Sequence, residues 1–242
     1  MKRANHFICV SEALVELSKP YRSSESVANT VVNGIDVASF RDKSNQVASV
    51  SAPSTPYMVG LGRLSSQKGF DLLLKAYAHA LATNPSILDL VILGSGVDDD
   101  ALKKLAKDLS IERKVHFLGF IENPAPILKK SKLFLLSSRF EGYPLVLVEA
   151  MALGVPSISF DCETGPREIL KGGDLGVLVP NGDVVQFAQA INEHLEEPNP
   201  LLAKTRVGFE SCEQEYSTEM TAKRHLEYLQ SIVQQTGSNR SH

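Results

Sequence analysis

The sequence is 242 residues long, with 25 lysines and arginines against 28 aspartates and glutamates, a formal net charge of −3 and no basic run; that balance speaks against nucleic acid as a partner. Its three cysteines, Cys9, Cys162 and Cys212, are too scattered for a metal site or a disulfide framework and imply reduced thiols in a cytoplasm. With 43% hydrophobic and 22% charged residues the composition is that of an ordinary globular protein, and the most apolar stretch, 144–160, is broken by Glu149, Gly154 and Pro156, so nothing spans a membrane.

Met1-Lys2-Arg3 is charged, but no apolar stretch of the signal-peptide kind follows it. Residues 6–11 read as a buried strand, with Ser11 placed to cap a helix over 12–19. Residues 26–33 read as a strand closed by a tight turn at Asn33-Gly34. The stretch 41–55 is polar and serine-rich and ends among prolines, as a linker or surface loop would. From Tyr57 onward strands and helices alternate. Strands are expected at 57–61, 88–93, 115–118, 133–136, 155–160 and 176–179. Helices are expected at 70–83, 98–109, 125–130, 145–153, 166–170 and 184–196, with a long last helix over 217–235 and a polar, disordered tail. Short apolar runs alternating with helices predict an α/β fold, a doubly wound parallel Rossmann-like sheet covered on both faces. In such a sheet the ligand lies at the carboxyl ends of the strands.

The loops after strands therefore carry the search for a site. After 57–61 comes GRLSSQKG, where Arg63 and Lys68 flank a tight turn and Gly62 lets a ligand approach the backbone. Two such cations suit a pyrophosphate, the arginine through paired donors and the lysine as a point charge; the alternative is two solvated surface side chains. Gly60-x-Gly62 also begins a dinucleotide fingerprint, but Ser65 stands where its third glycine belongs. After 88–93 the loop GSGVDDD offers Asp98, Asp99 and Asp100 as metal ligands. Their place at a helix start favours service to the free amides and the dipole instead.

The richest stretch is 137–154, SSRFEGYPLVLVEAMALG. Helix 145–153 is apolar nearly all round, so it belongs in the core, and Glu149 is its only charge. Glu141 lies in the loop ahead of it. Pro144 suits the first helical position, which leaves the amides of Leu145, Val146 and Leu147 facing out, and a helix end of that kind suits a phosphate. The plain alternative is a core helix whose Glu149 is satisfied by an internal arginine or a backbone amide. Cys162, in the loop after 155–160, has no histidine near it in sequence to activate it and reads as a buried thiol. The six histidines form no cluster.

Glu141, Gly142, Glu149, Ala150, Met151, Ala152, Gly154 and Pro156 together resemble the Glu-x7-Glu signature of retaining GT-B glycosyltransferases of family 4. The likeness extends over roughly residues 6–235 and includes G-R-x-x-x-x-K-G at 62–69. It implies the C-terminal, donor-binding domain of such an enzyme, which transfers a hexose with retention from a nucleoside-diphosphate sugar. A UDP-hexose or UDP-N-acetylhexosamine is the expected donor, with no other cofactor and no metal. The resemblance assigns Arg63 and Lys68 to the donor phosphates beside Gly62, with Leu145 and Val146 at the helix end. Glu149 goes to the ribose hydroxyls and Glu141 to the transferred sugar. Backbone groups near Ile121 would read the base edge, with Phe120 either stacking on it or packing. Thr164-Gly165-Pro166-Arg167-Glu168-Ile169 departs from the commoner family pattern and is similar to members acting on N-acetylhexosamine or galactose in bacterial surface polysaccharides.

The resemblance also divides the chain. Residues 1–40 would be the remnant of an acceptor-side domain, 41–55 a linker, 56–216 the nucleotide-sugar domain, 217–235 a crossing helix and 236–242 a disordered tail. A glycan or lipid-linked acceptor is implied, with the rest of the acceptor domain on a separate chain. The expected location is the cytoplasm, including the inner face of the membrane as a peripheral protein. Two alternatives stay open: a split, non-catalytic nucleotide-sugar-binding module prone to self-association, and an unrelated Rossmann-like oxidoreductase.

Overall fold

The computed structural model describes residues 5–23 and 26–238. Two short parallel strands come first, β1 (His6–Cys9) and β2 (Val27–Thr30), separated by α1 (Glu12–Ser18). The Ser11 hydroxyl caps α1 by accepting from the Leu14 amide at 3.3 Å, as its position promised. Then follow α2 (Val37–Lys43), β3 (Tyr57–Leu61), α3 (Phe70–Thr83), β4 (Asp89–Leu93), α4 (Asp99–Asp108), β5 (Val115–Gly119), α5 (Ala125–Lys130), β6 (Leu133–Leu136) and α6 (Leu145–Ala152). The chain continues through β7 (Ser157–Asp161), α7 (Pro166–Ile169), β8 (Val177–Pro180), α8 (Val184–Glu196), α9 (Asn199–Tyr216) and α10 (Thr218–Ser238).

Strands β3 to β8 form one all-parallel sheet in the order β5-β4-β3-β6-β7-β8. The chain winds outward from β3 to one edge, then returns to β6 and winds to the other. The β3/β6 boundary is thus the topological switch point. Both faces are buried because successive strand residues point to opposite sides. Met58, Leu90 and Leu135 enter one core with Leu73, Leu74 and Tyr77 of α3, Leu102 of α4 and Phe187 of α8. Val59, Val91 and Phe134 enter the other with Leu147, Val148 and Met151 of α6, Ile127 of α5 and Cys212 of α9.

Several local expectations are corrected. Asn33-Gly34 makes no tight turn. The segment stays extended, and the Ile35 amide donates to the Tyr216 carbonyl at 2.8 Å. A Cβ at Gly34 would overlap that carbonyl oxygen, so the glycine permits a close approach. The polar stretch from residue 41 begins inside α2, whose N-terminus is capped by Asp36 accepting from the Ser39 amide at 2.9 Å. Helix α9 was not foreseen at all. Its buried stripe is Leu201, Thr205, Gly208, Cys212 and Tyr216, which is helical in spacing but mostly small or polar in chemistry. Gly208 is there because a side chain would press on Met151 of α6, with the nearest atom at 3.0 Å. Pro144 is the cap residue of α6 rather than its first helical residue. The last helix extends to Ser238, into the stretch read as a tail, and residues 239–242 lie outside the described residues.

Arg41 of α2 pins the lower end of the second core. Its Nε donates to the Ala152 carbonyl at the end of α6 at 2.9 Å, and its Nη2 to the Phe209 carbonyl at 2.9 Å. That fixes the far end of the helix whose other end faces the switch point.

Candidate functional site

Four loops at the carboxyl ends of β3, β4, β5 and β6 are laced together by their backbones. The Gly62 amide donates to the Leu93 carbonyl at 3.0 Å, and the Gly94 amide to the Gly119 carbonyl at 2.8 Å. The Leu64 amide donates to the Ser95 carbonyl at 2.9 Å. Gly94 has φ of 139° and lies so near Gly62 that a Cβ would overlap its carbonyl oxygen. Gly69, left-handed at φ 62°, lies against the Ser137 carbonyl in the same way and brings the β3 loop onto the β6 loop.

That contact places Lys68 on Glu141. The Lys68 ammonium is 2.6 Å from Glu141 Oε1, and Ser138 donates its hydroxyl to the same oxygen at 2.6 Å. The Glu141 side chain is only 6% exposed. Its carbonyl accepts from the Thr164 hydroxyl. Arg63 is exposed and has no ion pair among the described residues. The structure therefore brings together Gly62, Lys68 and Glu141, two of them in direct contact, and leaves Arg63 free beside them.

At the head of α6 the Leu147 amide already donates to the Pro144 carbonyl at 3.0 Å. The expected three free amides are thus two, those of Leu145 and Val146. Glu149, one turn further in, makes no hydrogen bond or ion pair among the described residues. Burial alone pushes its carboxyl above the ordinary range. Among the described residues neither an internal arginine nor a backbone amide bonds to it, and the residue is half-buried rather than enclosed. Ile121 is buried in the second core and offers only its backbone to a ligand, whereas Phe120 beside it is 75% exposed and is not a packing residue.

The acidic run after β4 starts α4, with Asp98 as its cap residue and Asp99 paired to Lys103 at 2.9 Å. Among the described residues no three His, Cys, Asp or Glu side chains are grouped to hold a metal ion. Cys162 is a buried thiol, pushed up to about 11 by burial and by the nearby Glu141 charge, which keeps it unreactive at neutral pH.

Ser138 and Arg139 are given no role by the sequence reading, and Thr164 and Glu168 enter it only as part of a motif. Ser138 precedes Glu141 by three positions, a spacing that could have marked it. Glu168 accepts from the amides of Glu12 and Ala13 at 2.9 and 3.2 Å, so α1 is seated on α7.

A parallel sheet in this order, with its loops gathered at the switch point, is that of a Rossmann-type domain. Residues 42–208 match the family described as "Glycosyl transferases group 1", and the chain belongs to that family. It is 32% identical over 184 residues to the Campylobacter jejuni N-acetylgalactosamine-N,N'-diacetylbacillosaminyl-diphospho-undecaprenol 4-alpha-N-acetylgalactosaminyltransferase, covering 76% of this chain and 48% of that one. It is 26% identical over 196 residues to the lipopolysaccharide 1,6-galactosyltransferase of Escherichia coli K12, covering 79% and 53%. Anabaena HepE in complex with UDP-glucose shares the fold at a TM-score of 0.80 and 21% identity, over 94% of this chain and 64% of that one. The fold is thus of the GT-B type. The chain spans about half the length of these curated relatives. Family membership displaces the oxidoreductase alternative. Among the described residues no helix is long and apolar enough to cross a membrane.

Proposed function

We propose that this chain is the donor-holding half of a retaining family 4 glycosyltransferase, which moves a hexosyl or N-acetylhexosaminyl group from a UDP-sugar. The observation that carries the reading is the Lys68–Glu141 contact at the switch point, beside the open end of α6 and the partnerless Glu149. Lys68, Arg63 and the amides of Leu145 and Val146 take the charge that builds on the departing diphosphate, a term that often dominates catalysis. Glu149 accepts both ribose hydroxyls, hydrogen bonds that suit a half-buried carboxylate with no side-chain or backbone partner among the described residues. Glu141 holds hydroxyls of the transferred sugar once Lys68 turns to phosphate. The base lies along the backbone at Ile121, where exposed Phe120 offers a stacking face. No metal is required.

UDP is favoured because HepE carries UDP-glucose on the same fold. A glycan or lipid-linked acceptor in surface polysaccharide synthesis is favoured by the names of the lipopolysaccharide and diphospho-undecaprenol relatives. A peripheral place at the cytoplasmic face of the membrane suits such an acceptor. A second reading, that these 242 residues hold the donor but transfer little, is favoured by one observation. Beside the six-stranded sheet the described residues add only the β1–β2 pair, a small surface on which to seat an acceptor.

Calorimetry with UDP on the wild-type chain and on Glu149→Gln tests the reading. UDP should bind the wild type and bind the variant more weakly. Absence of binding to the wild type overturns the donor reading, and equal affinities remove Glu149 from the site.

A further inference from the structure

Arg139 is a third cation in the strand-end loops, two residues before Glu141, and its guanidinium is turned to Asp71. Its Nη1 and Nη2 grip the two oxygens of Asp71 at 2.7 and 2.7 Å, a parallel two-bond fork. Nη1 also donates to the Ser66 carbonyl at 2.8 Å. The Arg139 amide donates to the Gln67 carbonyl at 2.8 Å, and its own carbonyl accepts from Asn181 Nδ2 at 2.9 Å. Both terminal nitrogens are thus engaged with the loop that carries Lys68 and with the helix that follows it. Asp71 stands in the first turn of α3, where the helix dipole also favours its charge. Besides the Lys68–Glu141 pair, the two loops are also tied by single bonds, Ser137 Oγ to the Lys68 carbonyl at 3.0 Å and Gln67 Nε2 to the Phe140 carbonyl at 3.2 Å.

We propose that Arg139 is a positioning residue: through its fork with Asp71 it holds the β3 loop against the β6 loop, so that Lys68 and Glu141 address one donor together. This rests on the donor reading above. The tie attaches at Ser66 and Gln67, immediately before Lys68, and at the residue two before Glu141, so slack in it moves both functional groups at once. It touches neither Glu149 nor Ile121, which face the nucleoside. A lysine at 139 keeps the charge but cannot make the fork.

The test is a set of titrations of uridine and UDP into the wild type, Arg139→Lys, Asp71→Asn and the double variant, with thermal unfolding of each to establish that it is folded. Both partners are about a third exposed, so the single variants should fold. Each single variant should lose about tenfold in UDP affinity and less than about twofold in uridine affinity, and the double variant should lose no more than either single, as coupled partners do. Folded variants in which uridine and UDP weaken equally, or not at all, would overturn the positioning role. Additive losses in the double variant would overturn the pairing as its cause. A wild type that binds no UDP would instead bring down the donor reading itself, and is told apart by that one titration.

Discussion

Lys68 and Glu141 lie 73 residues apart in the chain and meet at 2.6 Å, with side chains only 20% and 6% exposed. The cation expected to hold a diphosphate is therefore balanced by a carboxylate. Binding must draw Lys68 away from Glu141 or share it between the two.

That relationship separates the two residues by experiment. Glu141→Gln frees Lys68 and should leave UDP affinity equal or a few-fold tighter, while removing any gain that a UDP-sugar has over UDP. Lys68→Ala strands a buried carboxylate with Ser138 as its remaining side-chain donor. It should lower stability by about 1–3 kcal/mol and weaken UDP much more than uridine. Chemical denaturation and calorimetry read both effects. If Glu141→Gln weakens UDP as much as Lys68→Ala does, the pair is a single structural unit rather than two functional groups.

Glu149 couples function to stability with a definite sign. Its carboxyl is pushed up by burial, so the folded chain binds that proton more tightly than the unfolded chain does. Stability should fall as pH rises from the ordinary carboxylate range through the raised folded value. Glu149→Gln carries no charge to bury. It should flatten that slope and melt at or above the wild type at neutral pH, yet bind UDP more weakly by about 1–3 kcal/mol. A variant that loses stability at neutral pH and keeps its UDP affinity would make Glu149 an ordinary core partner.

Gly94 tests whether the strand-end loops must be laced as tightly as they are. Its φ of 139° and its closeness to Gly62 leave no room for a methyl group. Gly94→Ala should cost at least about 2 kcal/mol of stability, and what still folds should hold UDP poorly, because the Gly62 backbone is displaced. Unchanged melting would mean that the loop yields without strain.

The sheet was readable because its strands are nearly pure apolar runs, and α3 because its apolar residues recur at helical spacing. Helix α9 was not, since Thr205, Gly208 and Cys212 stand where a hydrophobic pattern would need large side chains. Within the site, Glu149 announced itself as the single charge of an apolar helix. The Lys68–Glu141 contact and the Arg139–Asp71 fork could not be read, because they depend on β3 and β6 being neighbours, a fact of topology rather than of local sequence.

Arg63 gives the cleanest test of how the diphosphate is held. It is exposed and has no ion pair among the described residues, so Arg63→Ala should leave the melting temperature unchanged and isolate the ligand effect. A diphosphate carries between two and three negative charges near neutral pH. Against it stand Arg63, Lys68 shared with Glu141, and the head of α6, which counts for about half a charge. With Lys68 offset by Glu141 these supply about one and a half charges, a part of the ligand's own. Arg63→Ala should therefore weaken UDP by about 1–3 kcal/mol, the worth of a charged hydrogen bond, leave uridine unchanged, and shallow the fall of UDP affinity with rising salt. Wild-type affinity should be the same in excess chelator as in magnesium or manganese. If UDP binding collapses in chelator and returns with the metal, the cations and amides do not suffice, and the acidic run at Asp98–Asp100 must be considered again as its ligand.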